Sequence, residues 1–436
     1  MDLDALRARL ADASALRPVG TVRAVTGLAI RVAVPSARVG DIVVIRRRGD
    51  PLFAEIVGFN GGEAVAIPLG ELAGVGPDDA VESTGAGLVV GAGAGMLGRV
   101  LDGLGRPIDG LDAPKDLVTV PVDRAPPPAL GRRAVTEPLT TGVRAIDGLM
   151  TLGVGQRVGL FAGSGVGKST LLGSIARGTD ADVVVVALVG ERGREVGDFL
   201  EHTLGAEGRS RSVVVVATSD APPLERLRAV QVATAHAEYF RDQGKSVLLL
   251  VDSVTRVARA QREVGLAAGE PPARRGYPPS VFAMLPRLLE RSGQGQTGAV
   301  TAIYTVLVEG GDMDEPIADE VRGILDGHVV MSREIAARGH YPAIDVTESL
   351  SRVMDAVVPE AQVQAARQVR ALVAAFEAKR DLIALGAYAK GSDPSVDRAI
   401  AALPEIQRFL VQPATSAVPL SETAESLLGL AKKYRA

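Results

Sequence analysis

The chain has 436 residues, 47% of them hydrophobic and 23% charged, a composition that buries cores and excludes disorder over most of its length. The absence of cysteine excludes a disulfide scaffold and a thiolate zinc site, and a cytosolic protein is expected. The net charge of −4 and the few aromatic residues disfavour a nucleic-acid partner, since phosphate backbones require a basic surface.

The first two predicted segments are a short helix and a small barrel. Within residues 1–17, Leu3, Leu6 and Leu10 recur at helical spacing, which predicts an amphipathic helix that either lies on its own domain or docks a partner. Over residues 18–92, short β-branched runs such as TVRAV and DIVVIRR are broken by Gly, Pro and Asn. This spacing is typical of a small antiparallel β-barrel.

The middle of the chain has the pattern of a parallel sheet. Continuous apolar runs, such as VVVVAL at 183–188 and VLLLV at 247–251, indicate strands that helices cover on both faces. Over residues 351–436 the apolar residues recur mainly at helical spacing. The predicted fold class is therefore α/β, with a parallel-sheet core over residues 93–350 between an N-terminal β-barrel and a C-terminal helical domain.

A glycine-rich loop follows the apolar run 158–162 and precedes a helix-forming stretch. Glycines at such a loop let consecutive backbone N–H groups face an anion, and a lysine adds positive charge at the helix N-terminus. A hydroxyl after the lysine can bind Mg²⁺. The loop therefore predicts a nucleotide site made of Gly163, Ser164, Gly165, Val166, Gly167, Lys168, Ser169 and Thr170.

Two acidic residues follow other predicted strands. Asp252 ends the run 247–251, where a magnesium-associated acid is expected, although it could instead cap the next helix. Glu191 follows the run 183–188 and could orient or deprotonate a water that attacks the γ-phosphate. Glu191 is a candidate only together with the loop and Asp252.

Longer strings then resemble one family. GQRVGLFAGSGVGKSTLL, ALVGERGREVGDFLE and RGHYPAIDV, within a match from residue 20 to 412, are similar to the type III export ATPases. These form the branch of the rotary ATP synthase catalytic-subunit family that serves flagella and injectisomes. The resemblance implies a RecA-like P-loop core, a homohexamer, and Mg²⁺-dependent hydrolysis of ATP to ADP and phosphate that drives chaperone release, unfolding and export of substrate proteins.

The resemblance also implies roles for single residues. Lys168 and Ser169 match the phosphate and magnesium positions, and Asp252 matches the metal-binding acid. Glu191 matches the general base, with Arg192 as the adjacent arginine. Arg256 matches a further active-site arginine, and Tyr341 matches the aromatic residue that stacks on adenine. Arg352 matches an arginine finger that reaches the neighbouring subunit's site.

Two departures from a synthase favour the export branch. The acidic segment that a synthase presents to its rotating stalk is absent. Ala414 stands where a synthase has an adenine-packing aromatic residue, so we expect a looser base pocket.

The resemblance implies partners as well. They are a central stalk protein, export chaperones with their substrate proteins, a stator-like regulator on the N-terminal helix, and an export gate at the inner membrane, which the protein reaches peripherally from the cytoplasm. The injectisome is slightly favoured over the flagellum. The alternatives are a catalytic subunit of a rotary F/V-type ATP synthase, a noncatalytic nucleotide-binding ring subunit and, ranked last, an RNA translocase.

Overall fold

The computed structural model describes residues 19–435. The helix expected over residues 1–17, with the regulator site assigned to it, lies outside the described residues. Contacts divide the chain into two units: residues up to 88 with Glu263–Pro271, and Val89–Arg262 with the residues from Pro272 onward. The predicted boundary between the core, residues 93–350, and the helical domain, residues 351–436, stays a proposal.

A closed barrel forms the first unit. Its strands are β1 (Val19–Thr26), β2 (Ala29–Ala33), β3 (Ile42–Arg46), β4 (Leu52–Asn60), β5 (Glu63–Pro68) and β6 (Ala80–Ser83). All neighbours pair antiparallel in the order β1-β2-β5-β4-β3-β6, and β6 closes on β1. Alternating apolar residues such as Val22, Ile30 and Val43 fill the interior, and the predicted barrel is confirmed.

The second unit contains a large sheet. The strands of this unit are β7 (Val89–Ala92), β8 (Val100–Asp102), β9 (Val118–Pro121), β10 (Pro138–Leu139), β11 (Leu152–Gly153), β12 (Arg157–Ala162), β13 (Val183–Val189), β14 (Ser212–Ala217), β15 (Ser246–Asp252), β16 (Gly293–Gln294), β17 (Ala299–Leu307), β18 (Gly327–Met331) and β19 (Ile344–Ser351). The main order is β19-β18-β12-β17-β15-β13-β14-β8. Neighbours from β18 to β8 run parallel, whereas β19 pairs antiparallel with β18.

Helices cover this sheet, which explains why every residue of β13 is buried. The α-helices are Arg144–Leu149, Lys168–Gly178, Gly193–Asp198, Gly205–Ser210, Pro223–Asp242, Val254–Ala267, Pro279–Leu289, Pro316–Ile324, Arg333–Ala337, Met354–Val357, Glu360–Glu377, Arg380–Ala384, Pro394–Leu410 and Leu420–Lys433. A π-helix, Phe199–Leu204, and four 3₁₀ turns, Ala94–Met96, Ala129–Gly131, Arg274–Gly276 and Glu309–Gly311, complete the helical elements.

The last helices share their hydrophobic core with the sheet. Val369, Phe409 and Leu427 belong to the same buried cluster as Leu160 in β12. Hydrogen bonds join the two parts as well: the side-chain amide of Gln362 donates to the carbonyl of Asp147 at 3.1 Å. The chain after β19 is therefore packed firmly beside the phosphate-loop region. Among residues 19–435, no helix combines the length and apolar character that crossing a membrane requires.

Candidate active site

The phosphate loop joins β12 to the helix Lys168–Gly178. It leaves the carboxyl edge of a central strand, since β12 lies between β17 and β18, and ligands of open α/β sheets bind at this edge. Gly165 and Gly167 have φ of 80° and 88°, which residues with side chains rarely adopt. The backbone of the loop therefore requires glycine at these two positions, and the helix N-terminus that follows suits an anion.

Lys168 lies between two carboxylates from neighbouring strands. Its Nζ donates a hydrogen bond to Oδ1 of Asp252 and lies 3.5 Å from Oε1 of Glu191. β13 and β15 pair in parallel with Leu188 opposite Asp252, so the chain segments that carry the two acids leave the sheet side by side. The structure thus brings together the three residues that sequence reasoning assigned to one site.

Glu191 is buried and is held by an arginine. Nη2 of Arg256 donates to its Oε2 at 3.2 Å, while Nη1 donates to the carbonyl of Gly190. Burial raises the pKa of Glu191 to about 7, although the positive charge of Lys168 opposes the shift. A carboxyl group that loses its proton near neutral pH is suited to act as a general base.

Asp252 is almost fully buried at the end of β15. Its Oδ1 accepts hydrogen bonds from Lys168 and, at 2.8 Å, from Oγ1 of Thr305. Its Oδ2 receives no hydrogen bond from residues 19–435, so one oxygen stays available to a cation. The described residues contain no group of three or more His, Cys, Asp or Glu placed to hold a metal.

A second part of the site is a cavity of about 220 Å³ on the far side of the loop. Its lining is mainly apolar and combines the loop and the helix after it with one earlier residue and three later segments: Val143, Val166, Gly167, Thr170, Leu171, Ser174, Met331, Tyr341, Pro342, Gln412, Pro413, Ala414 and Ser416. Tyr341 is 46% exposed, so part of this residue is accessible to a ligand. Ala414 also lines the cavity, and its carbonyl accepts hydrogen bonds from Ser174 at 2.8 Å and from Arg177 at 2.7 Å.

Other predicted residues lie at the surface. Ser164, Ser169 and Thr170 are exposed on the loop. Arg192 is exposed and pairs with Glu195 at 3.5 Å. Arg352 is exposed just after β19, and its guanidinium makes no hydrogen bond or ion pair with residues 19–435. Within residues 19–435, the side chains of Arg192 and Arg352 make no hydrogen bond or ion pair with Lys168, Glu191 or Asp252.

Comparisons with known proteins agree along the whole chain. The beta-barrel domain of the ATP synthase alpha/beta family matches residues 22–85 and its nucleotide-binding domain matches 142–351, while the T3SS EscN ATPase C-terminal domain matches 358–429. A type 3 secretion system ATPase of Xanthomonas euvesicatoria is 52% identical over 97% of this chain and 96% of its own length. The chain belongs to the family of type III secretion system and flagellum-specific ATPases.

Relatives from both branches of this ATPase family are similar to the chain. A flagellum-specific ATP synthase of Treponema pallidum (strain Nichols) is also 52% identical, over 96% of this chain and 94% of its own length. The resemblance to the family is therefore confirmed, whereas the preference for the injectisome over the flagellum stays a prediction.

Solved structures from this ATPase family have the same fold. The assembled ATPase EscN of the enteropathogenic E. coli type III secretion system matches with a TM-score of 0.89 at 45% identity, over 94% of this chain and 99% of that one. EscN in complex with its central stalk EscO matches with a TM-score of 0.87 at the same identity and coverage. The predicted fold class is confirmed.

Sequence reasoning missed two residues of this ATPase site. Gln412 lines the cavity; its backbone N–H donates to the carbonyl of Tyr341 at 3.0 Å and its side chain donates to the carbonyl of Gly142 at 2.7 Å. Arg333 lies against Gly163 of the loop. Neither belongs to a recognisable motif. The sequence carries no signal for Arg333, because the strand that lies beside β12 is known only from the fold.

Proposed function

We propose that this protein is the ATPase of a type III protein export apparatus. It hydrolyses ATP to ADP and phosphate, and the energy releases export substrates from their chaperones, unfolds them and drives their export. The observation that carries this proposal is the meeting of Lys168, Glu191 and Asp252 at a phosphate loop, in a chain 52% identical to a type 3 secretion system ATPase over almost its full length.

Lys168 and the loop backbone bind the phosphates. Without nucleotide, Nζ of Lys168 is neutralised by Asp252 and Glu191. A triphosphate in the loop meets this lysine, the loop N–H groups and the N-terminus of the helix Lys168–Gly178, which together supply positive potential. These groups orient the γ-phosphate and stabilise the charge that spreads over its oxygens in the transition state. Tyr341 stacks on the base in the adjoining cavity.

Glu191 acts on the attacking water. Its carboxylate accepts the water proton while the water oxygen bonds to the γ-phosphorus and the bond to the bridging oxygen of ADP breaks. Arg256 holds the carboxylate from the side opposite Lys168, so that the base stays fixed during attack. The products are ADP and inorganic phosphate, and the proton rests on Glu191 until solvent removes it.

The residues present fit Mg²⁺ bound together with ATP. Oδ2 of Asp252 has no hydrogen-bond donor among residues 19–435, and the hydroxyl of Ser169 is exposed beside Lys168. Carboxylate and hydroxyl oxygens, completed by substrate phosphates and water, are the ligands that Mg²⁺ prefers. When bound, Mg²⁺ offsets the negative charge of the β- and γ-phosphates.

Arg352 completes the site of a neighbouring copy in a homohexamer. Its guanidinium is exposed and makes no hydrogen bond or ion pair within residues 19–435, which supports this role, because a finger that acts on another subunit is left without a partner among these residues. The isolated monomer should therefore be a poor ATPase. Specific activity that rises steeply with protein concentration, together with a larger species in sedimentation, is the expected result; constant specific activity down to the monomer contradicts the ring.

The cellular role follows from the same family. We propose a cytoplasmic protein at the inner-membrane export gate, with a central stalk protein and a stator-like regulator as partners, beside the export chaperones and their substrates. A strain that lacks the gene should regain secretion with the wild-type chain and with Lys245→Ala, a matched change at an exposed lysine. It should not regain secretion with Lys168→Ala. If the wild-type chain hydrolyses ATP normally but does not restore secretion, the export role is contradicted and the enzyme assignment still stands.

A further inference from the structure

The three glycines of the phosphate loop are required for different reasons. Gly165 and Gly167 have backbone conformations that favour glycine. Gly163 does not have a positive φ, so its backbone tolerates any residue. A methyl group at Gly163 would instead lie 2.8 Å from Nε and 3.2 Å from Nη2 of Arg333. The glycine at this position therefore makes room for a guanidinium.

The fold brings Arg333 to the loop. β18 pairs parallel with β12, with Met331 opposite Ala162, so the residues that follow the two strands leave the same sheet edge together. Ser332 fixes the turn between β18 and Arg333. Its N–H donates to the carbonyl of Ala343 at 2.9 Å, and its hydroxyl accepts from Ile335 N–H at 3.4 Å. Arg333 then starts a short helix with its side chain against the loop.

The charge of Arg333 is not paired with any other charge in the described part of the chain. Lys168 pairs with Asp252 and Glu191, and Arg256 also pairs with Glu191. The guanidinium of Arg333 is exposed and makes no hydrogen bond or ion pair with residues 19–435. A cation with unpaired N–H donors, lying against a loop that receives an anion, lowers the free energy of the bound anion.

We propose that Arg333 is a positioning residue for the nucleotide phosphates: its guanidinium, packed on Gly163, sets the start of the phosphate loop and adds positive charge to the site. This inference rests on the proposed function, since it assigns a role within the same nucleotide site. It also explains Gly163, because any larger side chain there displaces the guanidinium.

The test compares the full-length wild type with Arg333→Gln, Arg333→Lys, Gly163→Ala and the control Arg338→Gln. Arg338 belongs to the same segment but pairs with Glu334 and Glu377 away from the loop. We expect Arg333→Gln to raise KM for ATP and Kd for ADP about tenfold, with kcat within about twofold and the melting temperature of the nucleotide-free protein unchanged. Arg333→Lys should recover most of the affinity, because it keeps the charge, and Arg338→Gln should match the wild type.

Gly163→Ala gives an independent check, because the guanidinium is the end of a flexible chain and can move aside without a backbone clash. It should weaken nucleotide binding as Arg333→Gln does, and the double variant should be no weaker than either single one. Three results would overturn the inference. The losses of affinity could multiply in the double variant, or Arg333→Gln could bind nucleotide as the wild type does. The third is a melting temperature of nucleotide-free Arg333→Gln that falls along with its affinity. If the wild type itself binds no nucleotide, the proposed function fails instead.

Discussion

Two sets of charged residues differ in how far a single chain completes them. Lys168, Glu191 and Asp252 are largely buried, and their charges are paired with one another. Arg333 and Arg352 are exposed, and neither guanidinium makes a hydrogen bond or ion pair within residues 19–435. The first set is assembled before any ligand arrives, whereas the second is not.

Electrostatics explains the difference. A buried charge is costly unless it is paired, so the inner three residues must compensate one another in the folded chain. Exposed arginines keep their hydration, so leaving them unpaired costs little free energy. They can therefore stay unpaired until a nucleotide or another copy of the chain binds. The buried set therefore provides the chemistry, and the exposed set makes that chemistry depend on the ligand and on assembly.

Arg352→Ala should have the largest effect, because no other group of the same chain replaces a finger supplied by a neighbour. We expect kcat for ATP hydrolysis to fall about 10³- to 10⁵-fold. The melting temperature should not change, since the guanidinium makes no hydrogen bond or ion pair within residues 19–435. Steady-state hydrolysis at saturating ATP and thermal unfolding measure the two quantities.

A mixing experiment shows whether Arg352 acts between copies. Lys168→Ala and Arg352→Ala should each be inactive alone. In mixed rings, an intact loop from the Arg352→Ala chain meets an intact finger from the Lys168→Ala chain, so activity should return. A mixture that stays at the sum of the two separate activities, although mixed rings form, contradicts the division between the two sets.

Glu191→Gln should have the next largest effect. The amide cannot accept a proton, so we expect kcat to fall about 10²- to 10⁴-fold. Nucleotide affinity should change little, because Lys168 keeps its contact with Asp252. Single-turnover hydrolysis and ADP titration separate the two effects, with Glu201→Gln at an exposed site as the control. Unchanged turnover would contradict the role of Glu191 as the general base.

The buried set could be predicted from sequence because each member is tied to a local pattern. Lys168 belongs to a contiguous loop whose glycines signal its backbone. Glu191 and Asp252 follow continuous apolar runs, and parallel strands place their carboxyl ends along one edge. The fold class could be predicted for the same reason, since burial on both faces of the strands is visible in the residues themselves.

The remaining contacts depend on packing between distant segments. Gln412 reaches Gly142 across 270 residues of chain. The contact of Arg333 with Gly163 depends on which strand lies beside β12, and strand order is not encoded in any local pattern. Side-chain packing of this kind became visible only in the folded chain.

Tyr341→Ala should have a smaller effect, confined to binding. Tyr341 lines the cavity and is partly exposed, so removal of its ring takes away a stacking surface. Stacking on an aromatic ring is worth about 1–3 kcal/mol, and we expect KM for ATP to rise about 5- to 150-fold with kcat largely kept. Tyr341→Phe keeps the ring and is the control. Equal KM in the alanine and phenylalanine variants contradicts the stacking role.

The pH dependence should give the smallest effect and tests how the buried set is tuned. Burial raises the pKa of Glu191 to about 7, and the nearby charges of Lys168 and Arg256 oppose the shift while Asp252 adds to it. The base works when deprotonated, so kcat/KM, which reports the free enzyme, should rise about threefold from pH 6.5 to 7.5 and then level off. Arg256→Gln removes a positive neighbour, so it should move the midpoint upward. A profile that is flat over this range, or a midpoint that moves downward in Arg256→Gln, shows that Glu191 does not titrate as the base.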